Sequence, residues 1–275
     1  VRGRDAGYPG SNSAYAGAPD ETVNYVSAHD NETLFDTICW KLAPDTDPKS
    51  RCRANWLAMS IVALSQGVPF FHAGDEILRS KSLDRDSYNS GDWFNKLDYT
   101  CSSHNFGVGL PGEEKNGSKW DLMRPLLEDP TIKPTPSDIR ATLQHFQTLL
   151  KIRGSSRLFR LRSLDEIQSR VEFFNTGPEQ TPGVIVMKLS DYDLRCAVDG
   201  EYSSILVVVN ATVAAYKENL GRFMYNPGTP ALELHPLLAA QDYDPVVKTS
   251  VCVPGGIAVP PRTTAVFVQR RTLEG

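Results

Sequence analysis

The sequence predicts an α/β part built on a parallel sheet, followed by an all-β module. In the first part a β-rich segment at residues 22–28, a helical pattern at 50–66 and a short apolar run at 68–73 follow one another. This is the order of a parallel strand–helix–strand unit. After residue 155 the helical periodicity is lost and strand-like runs alternate with Gly, Pro and Asn, which favours an antiparallel β-sandwich.

Each predicted strand of the first part ends in polar residues. The turn His29-Asp30-Asn31-Glu32 follows the first strand, and Gly74-Asp75-Glu76 follows the second. Both strands are therefore expected to present polar groups at their C-terminal ends.

Two helices are predicted, at residues 50–66 and 138–153. Gly67 ends the first pattern, whereas Ser137 can cap the second and Gly154 ends it. The apolar residues at helical spacing are Trp56, Leu57, Ile61 and Leu64 in the first helix, and Ile139, Leu143, Phe146 and Leu150 in the second. The stripe of the second helix is expected to be core.

Residues 79–137 are predicted to be irregular, since they are rich in Asp, Asn, Ser, Gly and Pro. So long a segment is usually functional or disordered, and its Trp and Tyr residues argue against disorder. Later strands are predicted at 171–174, 184–189, 204–209 and 264–269. We place the domain boundary after residue 154, which gives domains 1–154 and 155–275.

Composition excludes several classes of protein. The chain has 275 residues, 40% apolar and 23% charged, with a formal net charge of −4. Charges are mixed along the chain, so nothing predicts a nucleic-acid partner, and no apolar run approaches the roughly 20 residues of a membrane span. The five cysteines form no Cys-x-x-Cys pair, which predicts reduced thiols in an intracellular compartment and no zinc site.

The chain begins with Val, and residues 1–20 are rich in Gly, Ala, Ser and Tyr. They lack the charged and apolar regions of a signal peptide. We expect a loop whose preceding chain is missing.

His29-Asp30-Asn31 is the first candidate constellation. Enzymes that cleave glycosidic bonds place carboxylates around an oxocarbenium-like transition state, and an Asp at the C-terminal end of a barrel strand is well placed for this. An Asp-Asn pair after a strand more often forms a turn or a helix cap, and the three residues alone favour that structural interpretation.

The loop at residues 83–95, with the sequence LDRDSYNSGDWFN, is the second candidate. Its carboxylates, amides, arginine and aromatic rings are typical of sugar sites, in which rings stack on the sugar and polar groups hydrogen-bond its hydroxyls. The alternative is a solvated loop held by Asx turns, with Arg85 and Asp86 paired to each other.

Asp75-Glu76 with Arg79 is the third candidate. It is either a carboxylate–arginine network beneath an active site or, slightly favoured, a helix N-terminus stabilised by acids. His72 is expected to be a hydrogen-bonded core histidine rather than a ligand. His145 and His235 show no partner in the sequence.

Longer stretches carry a resemblance. Residues 25–33 (YVSAHDNET) resemble the fourth signature stretch of the α-amylase superfamily in its pullulanase form, and residues 67–95 resemble the plant-type limit dextrinases, which are pullulanase-type starch-debranching enzymes. Stretches 175–178, 182–187 and 261–268 resemble the C-terminal domain of these enzymes. The resemblance extends over nearly the whole chain from about residue 19.

The resemblance implies the C-terminal part of a (β/α)8 barrel, followed by a C-terminal antiparallel β-sandwich domain. Segments 22–28 and 68–73 would be barrel strands seven and eight, and helices 50–66 and 138–153 would be barrel helices seven and eight. The implied activity is retaining hydrolysis of α-1,6 branch linkages in pullulan, limit dextrins and amylopectin-type glucans.

The same resemblance implies roles for individual residues. Asp30 would be the third catalytic carboxylate, which stabilises the transition state. The implied substrate-binding residues are His29, Asp75, Arg79, Asp86, Tyr88 and Asn89. Of these, Asp75 and Arg79 could instead only brace the loop.

The family's nucleophilic Asp and its acid/base Glu follow the fourth and fifth barrel strands, and both stretches would precede Val1. A retaining mechanism needs two carboxyl groups about 5 Å apart, which Asp30 alone cannot supply. We therefore expect the isolated chain to be inactive, with a poorly soluble or misfolded barrel part.

Two alternatives remain. One is another α-amylase superfamily enzyme, such as isoamylase or branching enzyme. The residues at 79–82 and 86–89 argue against it. The other is a non-catalytic α-glucan-binding or assembly module. The resemblance further implies a branched α-glucan partner, a plastid location and no cofactor, and a structural calcium ion in the parent enzyme cannot be assigned to residues of this chain.

Overall fold

The computed structural model describes residues 7–8, 11–12, 16–219, 231–253 and 256–271. The loop predicted at residues 1–20 lies outside the described residues up to residue 15, apart from the antiparallel pair β1 (Gly7–Tyr8) and β2 (Ser11–Asn12). None of the helices within these ranges has the length and apolar character needed to cross a membrane.

The chain divides into two compact units. One contains residues 1–24, 63–70 and 148–275, and the other contains 25–62 and 71–147. The domain boundary after residue 154 stays a prediction.

Two predicted helices are found within two residues of their expected ends, as α2 and α6. The described residues contain α1 (Leu34–Lys41), α2 (Pro48–Leu64), α3 (Gly91–Asn95), α4 (Glu113–Asn116), α5 (Trp120–Leu127), α6 (Pro136–Ser155), α7 (Leu164–Arg170) and α8 (Pro236–Ala240). Helix α1 was not predicted, α3 to α5 interrupt the segment expected to be irregular, and α7 and α8 lie in the part expected to be all-β. These additional helices are short, so they present few turns from which a period can be recognised.

The ends of α6 differ from the prediction. Thr135, not Ser137, caps the helix: its Oγ1 accepts from the amide of Asp138, whose carboxylate accepts from the amide of Thr135 at 2.9 Å. This reciprocal pair follows the logic of a capping box. Gly154 lies inside the last turn.

The buried face of α6 also differs from the predicted apolar stripe, because it carries polar residues. Thr142 accepts a hydrogen bond of 2.8 Å from Nε1 of Trp56. The ring of His145 stacks on Trp56 with 4.9 Å between centroids, and its Nε2 lies 3.2 Å from Oγ of Ser60. Leu150 of the predicted stripe is 42% exposed. His145 therefore has partners that the sequence did not reveal.

The predicted parallel strands are present but shorter. Strands β3 (Val23–Asn24) and β4 (Val68–Pro69) pair in parallel, with Val23 opposite Val68. Gly67 enters β4 at φ 90°, and a Cβ there would lie 2.3 Å from Oγ1 of Thr22, so only glycine fits this turn. The amides of Val68 and Phe70 donate to the carbonyls of Thr22 and Asn24, both at 2.9 Å, so the two segments form a short parallel pair rather than strands over the whole of 22–28 and 68–73.

The strands predicted after residue 155 are found, together with further ones. Five antiparallel strands form one sheet in the order β5 (Val171–Phe174), β6 (Val184–Ser190), β7 (Tyr202–Asn210), β12 (Thr263–Arg270) and β9 (Glu233–Leu234). A second antiparallel sheet has the order β10 (Val251–Val253), β11 (Gly256–Val259) and β8 (Tyr216–Glu218). The chain is thus α/β with several antiparallel sheets, while the sandwich itself stays a prediction.

Candidate functional site

The turn that follows β3 presents His29 and Asp30 to solvent. Their side chains are 87% and 80% exposed, and Nε2 of His29 lies 3.5 Å from Oδ1 of Asp30. Asn31 has a φ of 62°, a left-handed conformation that asparagine tolerates better than most residues. The turn thus holds an imidazole and a carboxylate side by side.

Lys81 holds this turn from within. It is 1% exposed, and its Nζ donates to the carbonyl oxygen of Asn31 at 2.7 Å and lies 3.5 Å from that of His29. These two carbonyls flank Asp30 in the chain. Burial lowers the pKa of Lys81, and nearby Asp36 opposes that shift. The contact with a buried ammonium restrains the backbone on both sides of Asp30.

Asp36, on α1, anchors the segment that carries Lys81. Its fully buried carboxylate accepts from the hydroxyl of Ser80 at 2.6 Å and from the amides of Lys81 at 2.8 Å and Leu83 at 3.3 Å. Burial raises the pKa of Asp36 to about 6, although these hydrogen bonds favour the charged form. Leu83 has a φ of 65°, so the network fixes a segment in a conformation that leucine rarely adopts.

Asp75 is buried and faces the chain that precedes His29. Oγ of Ser27 lies 2.9 Å from Oδ1 and 2.7 Å from Oδ2 of Asp75. Burial raises the pKa of Asp75 to about 6. With 2% of its surface exposed, Asp75 links the two segments that follow β3 and β4.

Arg79 is half-buried beside His72. Its Nη1 lies 3.1 Å from Nε2 of His72 and donates to the carbonyl of Ala73 at 3.2 Å. Because a guanidinium only donates, Nε2 of His72 accepts, and burial together with the charge of Arg79 lowers the pKa of His72 to about 4. His72 has its predicted hydrogen bond and is neutral at pH 7. Gly74, at φ 104°, leaves the room that the side chain of Arg79 fills.

The base of the loop at residues 84–95 is held by its own side chains. The buried carboxylate of Asp84 accepts from the amide of Asp86 at 2.9 Å and from the hydroxyl of Ser90 at 2.6 Å. Asn95 accepts from the hydroxyl of Ser87 at 2.8 Å and donates to its carbonyl at 2.8 Å. The bond from the amide of Asp86 to Asp84 is an Asx turn of the kind that the sequence allowed as the structural alternative, whereas the other contacts close the loop over six to eight residues.

The same contacts leave other residues of the loop exposed to solvent. Tyr88 is 87% exposed, and Asn89 is exposed beside it. Asp86 is half-exposed and lies 3.7 Å from Nζ of Lys115, so its ion pair is with Lys115. A rigid base with an exposed ring, amide and carboxylate is a geometry suited to binding sugar hydroxyls.

The structure brings most predicted site residues onto one connected framework. Asp30 and His29 contact each other, and Lys81 connects their turn to the segment that leads to Asp86, Tyr88 and Asn89. Sequence reasoning assigned no role to Lys81 or Asp36, and it included Asp84 only as one of the carboxylates of the candidate sugar loop. A signal existed for Asp36, since a charged residue stands within the apolar run Leu34–Cys39. None existed for Lys81, because its partners are backbone carbonyls.

Comparison with known proteins identifies the chain. A family model described as "Alpha-1,6-glucosidases, pullulanase-type, C-terminal" matches residues 101–270. The chain belongs to the pullulanase-type α-1,6-glucosidases. Pullulanase 1, chloroplastic, of Arabidopsis thaliana is 53% identical over 94% of the chain, and a pullulanase of Klebsiella aerogenes is 40% identical over 69% of it. The chain covers 27% and 17%, respectively, of the length of these two relatives.

Solved structures of pullulanase-type enzymes agree with this fold over the whole chain. Apo pullulanase from Klebsiella pneumoniae superposes on 100% of the chain with a TM-score of 0.89 and 35% identity. The Klebsiella pneumoniae pullulanase complexed with maltotriose superposes equally well, at 34% identity. The chain covers 29% and 26% of these two structures.

Proposed function

We propose that the chain is the C-terminal part of a starch-debranching α-1,6-glucosidase. The whole enzyme would hydrolyse branch linkages in pullulan, limit dextrins and amylopectin-type glucans with retention of configuration. The match of residues 101–270 to the C-terminal region of pullulanase-type α-1,6-glucosidases carries this proposal. The names of the relatives, pullulanases from a plant chloroplast and from bacteria, support the same activity.

In this proposal Asp30 stabilises the transition state. Glycoside hydrolysis passes through an oxocarbenium-like state, and a fixed carboxylate beside a developing positive charge stabilises it strongly. The 80% exposure of the Asp30 side chain supports a role at a surface that a sugar can reach. His29, at 3.5 Å from Asp30, would hydrogen-bond the same sugar.

The loop residues Asp86, Tyr88 and Asn89 would line the donor-side subsites, with the ring of Tyr88 against an apolar sugar face. Asp75 and Arg79 are better suited to bracing the loop than to binding substrate. Asp75 is buried and bonded to Ser27, and Arg79 bonds the carbonyl of Ala73.

We further propose that β3 and β4 are strands seven and eight of a (β/α)8 barrel, with α2 and α6 as barrel helices seven and eight. The parallel pairing of Val23 with Val68 supports this, as does the position of the polar turns after both strands, because barrel chemistry lies at that end. The two antiparallel sheets would form the C-terminal sandwich.

The nucleophile and the acid/base would come from outside residues 1–275, because the chain covers 27% of the Arabidopsis relative and a retaining mechanism needs two further carboxyl groups. The isolated chain should therefore release no reducing ends from pullulan. Release by the purified 275-residue chain would contradict this.

The decisive experiment replaces Asp30 by Asn in the full-length enzyme. Turnover of pullulan should fall by a factor of about 10³, as expected when one preorganised charge that stabilises a transition state is lost. Asp45→Asn, a substitution at an exposed residue, is the matched control and should keep full turnover. Near-normal turnover of Asp30→Asn would remove the assigned role.

A second candidate, a non-catalytic α-glucan-binding module, is favoured by the exposed rings of Tyr88, Trp93 and Tyr99, at 87%, 67% and 56%. Calorimetric titration of the 275-residue chain with maltotriose tests it, because an autonomous module should bind without the remainder of the enzyme. Product analysis on pullulan against amylopectin separates the proposal from isoamylase. The chloroplastic relative supports a plastid location.

A further inference from the structure

The buried Lys81 has no role in the chemistry described so far, although its ammonium lies at the carbonyls of His29 and Asn31, the residues on either side of Asp30 in the chain. Of its partners, Asn31 lies 50 residues away in the chain, at a distance of 2.7 Å between Nζ and the carbonyl oxygen. The other carbonyl, that of His29, lies at 3.5 Å. Surface lysines do not behave this way, since an ammonium group is strongly hydrated and is rarely fully buried.

The main chain of Lys81 is also held by hydrogen bonds. The amide of Lys81 donates to Oδ2 of Asp36 at 2.8 Å, and the neighbouring hydroxyl of Ser80 donates to Oδ1 at 2.6 Å. The lysine backbone is therefore fixed to α1, and its ammonium reaches the turn from a defined origin. Main chain and side chain together form a strap between α1 and the turn at residues 29–31.

The turn needs such a strap. The left-handed conformation of Asn31, at φ 62°, is only one of those open to asparagine. The side chains of His29 and Asp30 are 87% and 80% exposed, so they contribute little to holding the turn. A displacement of about 1 Å at a catalytic group costs on the order of 10²-fold in rate. The orientation of Asp30 thus depends on its backbone, and Lys81 restrains that backbone on both sides.

We propose that Lys81 is a positioning residue for Asp30: its ammonium fixes the carbonyls of His29 and Asn31, and so orients the carboxylate toward the reacting sugar. This inference rests on the proposed function. Lys81 does not contact substrate here, since it is 1% exposed.

The experiment uses the full-length enzyme with Lys81→Met, which keeps an unbranched side chain one atom shorter and removes the charge. The turnover number on pullulan should fall about 100-fold while KM changes less than about threefold, because the sugar-binding loop residues remain. Lys133→Met, at an exposed lysine before α6, is the control and should keep both constants. Hydrogen exchange of a peptide covering residues 28–33 should become faster in Lys81→Met and stay unchanged in Lys133→Met.

A double variant separates positioning from general damage. If Lys81 acts through Asp30, adding Lys81→Met to Asp30→Asn should cost little more than Asp30→Asn alone, since the interaction is already lost. A full further 100-fold loss in that background would overturn the proposal, and so would wild-type turnover of Lys81→Met. Near-normal turnover of Asp30→Asn alone would instead refute the role of Asp30, and with it the proposed mechanism.

Lys81→Gln provides a second variant if Lys81→Met folds poorly. Its amide can donate to one carbonyl at shorter reach, so turnover should lie between those of the wild type and Lys81→Met, with exchange of residues 28–33 also intermediate. Normal exchange of these residues in a correctly folded Lys81→Gln variant with reduced turnover would overturn the positioning role.

Discussion

Oδ1 of Asp36 accepts a hydrogen bond of 2.6 Å from the hydroxyl of Ser80 inside the protein. The other oxygen accepts from the amides of Lys81 and Leu83, so one carboxylate serves three donors from a single segment. Asp36→Ala would leave these buried donors unpaired, at a cost of about 3 kcal/mol. The amides of Lys81 and Leu83 should then exchange hydrogen about 100-fold faster in the full-length enzyme.

Asp36→Asn is a milder change, since its amide keeps one acceptor oxygen and nearly the same shape while an NH2 donor replaces the other oxygen. Its effect should be smaller than that of Asp36→Ala. Asp45→Ala, at an exposed position, should leave the exchange unchanged. If the amides of Lys81 and Leu83 exchanged hydrogen at the same rate in Asp36→Ala as in the wild type, the carboxylate of Asp36 would not anchor the segment that contains them.

Asp191 should stabilise the unit that contains the two larger antiparallel sheets. Its buried carboxylate lies 3.0 Å from Nε of Arg170 and 2.8 Å from Nη2 of Arg271, and it accepts 2.9 Å bonds from the amides of Val198 and Asp199. Removing one partner of a buried ion pair costs about 3–5 kcal/mol. Asp191→Ala should lower the calorimetric Tm of this unit by about 10 °C.

Asp193, two residues further on, provides the matched control. It pairs with Arg195 at 2.9 Å, but the side chain of Arg195 is 90% exposed, and exposed pairs contribute little because water screens them. Asp193→Ala should leave the Tm within measurement error. Similar shifts for both variants would mean that burial does not determine the contribution of these aspartates.

His235 should make the same unit sensitive to acid. Its Nδ1 accepts from the amide of Leu237 at 3.2 Å and its Nε2 lies 3.2 Å from Oγ of Ser155. Burial lowers the pKa of His235 from 6.5 to about 4. Between these two values the unfolded chain binds a proton that the folded chain does not, so stability is lost as the pH falls from about 6.5 through 4, by up to about 3 kcal/mol.

His235→Asn keeps an acceptor suited to the N-cap of α8 but does not titrate. Its Tm should fall less than that of the wild type between pH 7 and pH 4, as measured by calorimetry at several pH values. Parallel pH profiles for the two proteins would exclude His235 as the origin of the acid sensitivity.

Tyr88 should contribute to substrate binding but not to folding, because its side chain is 87% exposed. If its ring stacks on a sugar, Tyr88→Ala should raise KM for pullulan about fivefold in the full-length enzyme, equivalent to about 1 kcal/mol. Tyr88→Phe keeps the ring and should retain most of the affinity. An unchanged KM in Tyr88→Ala would place the substrate elsewhere.

The central strands were predictable because they are mostly buried and rich in β-branched and aliphatic residues. Strands β6, β7 and β12 contain largely apolar segments bounded by turn residues, a pattern with few competing interpretations. The segments around β3 and β4 were predicted too long, because composition reports a preference for extended structure but not where the hydrogen-bonding neighbour ends.

The face of α6 and the contacts of Lys81 were not predictable, for related reasons. Apolar periodicity gives no weight to Thr142 and His145, which are buried because Trp56 and Ser60 satisfy them. Lys81 contacts main-chain oxygens 50 and 52 residues away. Because every residue has a main-chain carbonyl, the sequence does not indicate which ones the lysine contacts. By contrast, the stretch around Asp30 and Tyr88 was recognised, because its side chains themselves carry the pattern.

The joint attachment of Lys81 to α1 and to the turn at 29–31 limits how these segments can be exchanged between enzymes. A chimera that keeps the native α1 but replaces residues 79–95 by a foreign loop would have to supply the hydrogen-bond donors that the Asp36 carboxylate accepts from. A chimera that replaces α1 alone would remove that acceptor. The two segments should therefore be transplanted together in any such chimera.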